Sequence, residues 1–102
     1  MNWNKAYILI LDKESAKFRF NSKNFHTKIT TAKGVINWWH YIDNTYILIV
    51  EYGITAKNIS DFVQNNTNNM KFFVSEINLK NHNGWLPNEA WDWINEQMKG
   101  RK

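Results

Sequence analysis

At 102 residues, with a formal charge of +4, 43% apolar and 16% aromatic residues, the chain has material for one hydrophobic core but not two. Six Trp, six Phe and four Tyr set it apart from the charged, aromatic-poor compositions that stay disordered. The lack of cysteine excludes disulfides, thiolate metal sites and cysteine nucleophiles, so any metal must be held by oxygen or imidazole.

Residues Lys5 to Leu11 form a nearly unbroken apolar run ending at Asp12. The run is too short for a helix and too continuous for a one-faced edge strand, so it predicts a central strand. Lys13 to Phe20 is a polar, basic connection. Ser22 then offers an N-cap for a helix whose Phe25, Ile29 and Ala32 share a face before Gly34 stops it. Val35 to Tyr41, the turn signal Asp43-Asn44 and the apolar run Thr45 to Glu51 predict a hairpin.

Thr55 can cap a second helix in which Ala56, Ile59, Phe62 and Val63 face one side, and the Asn-rich stretch Gln64 to Asn69 ends it. Met70 to Leu79 predicts a fourth strand, with Phe73, Ser75, Ile77 and Leu79 on one face and Phe72, Val74 and Glu76 on the other. Gly84 to Pro87 turns the chain into a last helix from about Asn88 to Met98, with Ala90, Trp91, Ile94 and Met98 as its apolar stripe. The expected fold is a single α+β domain over residues 1–102: a ferredoxin-like β-α-β-β-α-β antiparallel sheet with an extra C-terminal helix. The first and third strands carry the most continuous apolar runs and are expected at the sheet centre. Two helices would cover one sheet face, leaving the other to the last helix, a ligand or a second copy, so a homodimer is expected.

No apolar run approaches the roughly 20 residues of a membrane helix. The first such run passes straight into Asp12-Lys13-Glu14, unlike a secretory leader, so a cytoplasmic protein without membrane partners is expected. The Asn, Lys and Ile content fits an AT-rich bacterial or phage genome.

The sequence has no Gly-rich phosphate loop, no His-Glu-x-x-His and no Gly-x-Ser-x-Gly. Its basic residues are unevenly spread, with Lys13, Lys17, Arg19, Lys23, Lys28 and Lys33 against Glu14 alone across one 21-residue segment. Such a segment can follow phosphates, and Lys17, Arg19, Lys23 and Lys28 are the expected nucleic-acid contacts. A solvated surface is the competing reading.

Asp12, at the carboxyl end of a central strand, is a rigidly placed acid. Two such acids across a dimer axis could hold one Mg²⁺ or Mn²⁺ against a phosphodiester, although Asp also simply initiates turns. His40 could act as acid or base near neutral pH, or be a packed imidazole. Trp38 or Tyr41 could stack a base. Period-2 alternation sends Trp38, His40 and Ile42 one way and Asn37, Trp39 and Tyr41 the other, so one tryptophan is expected in the core and its neighbour outside it. His26, on the first helix, and His82, in a loop, have no partner that spacing identifies. Trp85, Trp91 and Trp93 cluster around Pro87 and are expected to pack the last helix onto the sheet, the alternative being an exposed aromatic interface.

The blocks Trp38-Trp39-His40-Tyr41-Ile42-Asp43-Asn44-Thr45-Tyr46 and Gly84-Trp85-Leu86-Pro87-Asn88-Glu89-Ala90-Trp91-Asp92-Trp93-Ile94 resemble small bacterial proteins labelled SinR-like. The regulator behind that label is a helix-turn-helix protein, and no helix-turn-helix arrangement occurs here. The order of elements and the strand-terminal Asp12 look like the small ferredoxin-fold nucleases of CRISPR adaptation and the VapD type. That resemblance implies a dimer that binds nucleic acid, and, as in some members of the group, Asp12 as the metal ligand for cleavage. Two functions are thus expected: a nucleic-acid-binding dimer, endonuclease-like if Asp12 holds a metal, or a non-enzymatic module whose aromatic sheet face binds a protein partner. A small-ligand or nucleotide binder is a third.

Overall fold

The computed structural model describes residues 4–16, 20–67, 69–80 and 82–98. Strand β1 spans Lys5–Asp12, followed by a 3-10 turn over Lys13–Ala16 and helix α1 over Ser22–Thr30. Strands β2 (Val35–Ile42) and β3 (Thr45–Val50) form a hairpin, and helix α2 (Ala56–Asn65), strand β4 (Lys71–Ile77) and helix α3 (Asn88–Met98) complete the chain. The four strands make one sheet in the order β2-β3-β1-β4, with every neighbouring pair antiparallel. The two strands with the most continuous apolar sequence, β1 and β3, are therefore the central ones. A strand flanked on both sides and largely covered on both faces has few polar positions to spare.

Alternation along the strands builds two cores. Tyr7, Leu9 and Leu11 of β1 join Tyr46, Leu48 and Val50 of β3 beneath α1 and α2, which contribute Phe25, Ile29, Ile59 and Val63. On the opposite face, Ala6, Ile47, Ile49 and Trp39 pack against Ala90 and Ile94 of α3. Helix α3 covers only part of that face. Ile10 and its cross-strand partner Phe73 lie beyond it and are 39% and 61% exposed.

Local chemistry sets the helix limits. In α2 the Thr55 side chain takes the Asn58 N–H while the Asn58 side chain takes the Thr55 N–H, a reciprocal cap. In α1 the cap is Asn21, one residue before the expected Ser22, its Oδ1 accepting the Asn24 N–H at 2.9 Å. That helix also ends at Thr30, short of Gly34: Thr30 and Thr31 turn their hydroxyls back onto the carbonyls of His26 and Thr27, a local alternative to continued helix. Ala32 consequently falls outside the helix. Gly34 shapes the turn into β2, with φ at +89° and room for no side chain: a Cβ there would sit 2.7 Å from Ile54 Cδ1.

The C-terminal tryptophans divide. Trp91 and Trp93 pack against the α3 core, and Trp93 Nε1–H donates to Asn37 Oδ1 at 3.1 Å. Trp85 is 96% exposed, contrary to the packing expected of all three. Trp91 already occupies the surface that its loop offers, stacked on His82 and 3.6 Å from where a Cβ of Gly84 would stand. No helix among the described residues is long and apolar enough to cross a membrane.

Candidate functional site

The sheet places Trp38 and Trp39 on opposite sides. Trp39 is 3% exposed in the α3 core, its Nε1–H donating to the Ala90 carbonyl. Trp38, 38% exposed, stands over α1, where its ring meets His26 edge-on with centroids 4.8 Å apart. His40 follows Trp38 by two residues and points to the same side. It lies flat on the Tyr46 ring, 3.9 Å between centroids and 1° between planes.

These contacts gather residues from three elements into one cleft. His26 from α1, His40 from β2 and Tyr46 from β3 line a cavity of about 400 Å³ together with Lys13, Lys23 and Asp43. His26 Nδ1 and the Tyr46 hydroxyl are 2.7 Å apart. His40 Nδ1 is 2.9 Å from the Thr45 carbonyl oxygen, and because a carbonyl only accepts, that nitrogen carries the proton. The two imidazole centroids are 5.7 Å apart. Both rings are thus anchored through Nδ1, leaving Nε2 as the nitrogen each can offer a ligand.

Electrostatics in the cleft are mixed in sign. Lys13 Nζ pairs with Asp43 Oδ1 at 3.0 Å and lies 6.0 Å from the Phe20 ring centroid. Burial, reinforced by the Asp43 carboxylate, pushes the Tyr46 hydroxyl up to about 12, so it remains a neutral phenol at physiological pH. Tyr46 belongs to the main core at 2% exposure, so core packing holds both the ring under His40 and the hydroxyl that meets His26.

Asp12 is elsewhere. It ends β1 opposite Lys71 and lines a separate shallow cleft of about 550 Å³ with Lys13, Glu14, Asp43, Asn44 and Lys71. Its backbone carbonyl accepts the Ser15 hydroxyl at 2.6 Å, and Ser15 Oγ accepts the Lys71 N–H at 2.8 Å. This relay closes the strand end onto β4. Lys13 and Asp43 line both clefts, so their ion pair stands between the two acid–base candidates, Asp12 and His40. Among the described residues no three His, Asp or Glu side chains are grouped to hold a metal ion. Asp12 shares its cleft with Glu14 and Asp43 but forms no such group with them.

Of the expected nucleic-acid contacts, Lys23 lines the histidine cleft and Trp38 adjoins it through His26. Lys28 is exposed on α1 outside its lining, and Lys17 and Arg19 lie outside the described residues. His26 and Tyr46 are members of the cleft that spacing along the chain does not mark, and Lys13 is marked only as part of the basic segment. Tyr46 stands 20 residues from His26 in sequence and meets it only through the hairpin. Compared with known proteins, the sequence matches no family model, no curated protein and no solved structure.

Proposed function

We propose that this domain binds single-stranded nucleic acid in the cleft between α1 and the β2–β3 hairpin. The observation that carries this reading is the placement of an exposed Trp38 beside a cavity holding Lys13, Lys23, His26 and His40. An aromatic platform next to ammonium groups is what an unpaired base and its phosphate require, and stacking on one aromatic side chain contributes about 1–3 kcal/mol. Asp43 holds Lys13, and a phosphate entering the cleft competes with that carboxylate. The test is a titration of short fluorescent single- and double-stranded DNA and RNA at about 50 and 200 mM salt. Tight single-strand binding at low salt that weakens steeply at high salt supports the reading; absence of binding at low salt removes it.

The same proposal includes a ferredoxin-like fold and a homodimer. The fold reading rests on the element order and on a fully antiparallel sheet ordered β2-β3-β1-β4. The dimer reading rests on the two sheet edges. β2 has two register shifts against β3, the kind of irregularity that protects an edge from further pairing. β4 pairs with β1 without a shift from Ala6↔Ile77 to Asp12↔Lys71, with Phe73 and Ile10 exposed beside it. A second copy added along β4 would cover these side chains. Sedimentation velocity of wild type and Phe73→Lys tests it: a dimer converted to monomer is expected, and a wild-type monomer would refute it.

A further inference from the structure

Two imidazoles in one cleft, each fixed by its Nδ1, make an arrangement suited to taking a proton at one point and delivering one at another. The Thr45 carbonyl holds His40 in the tautomer whose Nε2 bears the lone pair, which orients that nitrogen as a general base. His26 meets the Tyr46 hydroxyl, and that oxygen can accept Nδ1–H from an imidazolium, the form a general acid needs. The charged and titratable groups facing the pair are Lys13 from the 3-10 turn, Lys23 from α1, Asp43 from the hairpin turn and Tyr46 from β3.

Resting on the nucleic-acid reading, we infer that the cleft cleaves single-stranded RNA by metal-independent transesterification. His40 Nε2 removes the proton of a ribose 2′-hydroxyl, whose oxygen forms a bond to the adjacent phosphorus. The P–O5′ bond breaks, and His26 gives its proton to the departing 5′ oxygen. The products are a 2′,3′-cyclic phosphate and a 5′-hydroxyl end, with no water consumed and no change of oxidation state. Lys13 and Lys23 face the charge that builds on the phosphoryl oxygens, and Trp38 stacks the neighbouring base. DNA lacks the nucleophile and is bound but not cut.

The experiment compares a fluorescent single-stranded RNA with its 2′-O-methyl counterpart, in EDTA, across pH 5–9. Wild type is expected to cut the RNA to a cyclic-phosphate product with a bell-shaped pH–rate profile and to bind the 2′-O-methyl strand without cutting it. His40→Ala and His26→Ala should each lower the rate by about 100-fold or more while still binding the 2′-O-methyl strand, and His82→Gln, outside the cleft, should retain the rate. Binding of the 2′-O-methyl strand without RNA cleavage would overturn this inference and leave the binding reading standing. Cleavage that survives either histidine variant, that requires a divalent ion, or that cuts DNA equally would also overturn it. Failure to bind either strand would overturn both.

Discussion

The two clefts that meet at the Lys13–Asp43 ion pair differ in how firmly their chemistry is held. On the α1 side, His26 and His40 are both fastened to Tyr46, one by a hydrogen bond and one by stacking, and Tyr46 is itself core. On the β4 side, Asp12 is exposed at a strand end whose recorded tie to the neighbouring turn runs through its backbone carbonyl. A conspicuous acid at a strand terminus is thus less prepared for a ligand than two histidines that look unrelated in sequence. Preparation here means that the same side chain that fills the core also orients the groups facing solvent.

Tyr46 is where the two clefts differ most. Tyr46→Ala should cost about 3–5 kcal/mol of stability, read by urea denaturation, and should release both imidazoles. Alkaline titration probes the same residue without a cavity. The Tyr46 hydroxyl is pushed up to about 12 in the folded chain from about 10 when unfolded. Its contribution to stability is therefore fully present below pH 10 and is lost as pH rises through 12. Tyr46→Phe should flatten the denaturation midpoint across that window, and an unchanged slope would show that the phenol is not held as described.

Smaller effects sharpen the contrast. Lys13→Gln and Lys23→Gln should each reduce the slope of log affinity against log salt by about 1 for a single-stranded oligonucleotide. Asp12→Asn should change stability by no more than about 0.5 kcal/mol, with no measurable loss of oligonucleotide binding. A large loss of binding or of metal-dependent cleavage in that variant would reverse the ranking of the two clefts.

The strands and the later helices were legible because each carried its own local signal. Continuous apolar runs placed β1 and β3 at the sheet centre, and Thr55 opened α2 where a hydroxyl was needed three residues before Asn58. The Trp38–Trp39 alternation separated a core ring from a surface ring correctly. Helix α1 is less legible, because its cap lies at Asn21 and two threonine hydroxyls compete for its last carbonyls, neither of which alters the apolar spacing. The candidate cleft is half legible. His40, Trp38 and Lys23 stood out by residue type, whereas His26 and Tyr46 become partners only when the hairpin folds back over α1. No periodicity encodes a contact across that distance, and Trp85 was misplaced for a related reason: competition with Trp91 for one surface is visible only in three dimensions.

Among all measurements, the most direct is a long-range ¹H–¹⁵N spectrum of the three imidazoles, recorded at neutral pH with and without a short single-stranded, uncleavable 2′-O-methyl RNA. A proton on Nδ1 of His40 is expected in the unbound protein, and RNA-induced shifts at His26 and His40, with His82 unmoved as the internal reference. Shifts confined to His82, or none at saturating RNA, would contradict the assignment of this cleft as the binding site.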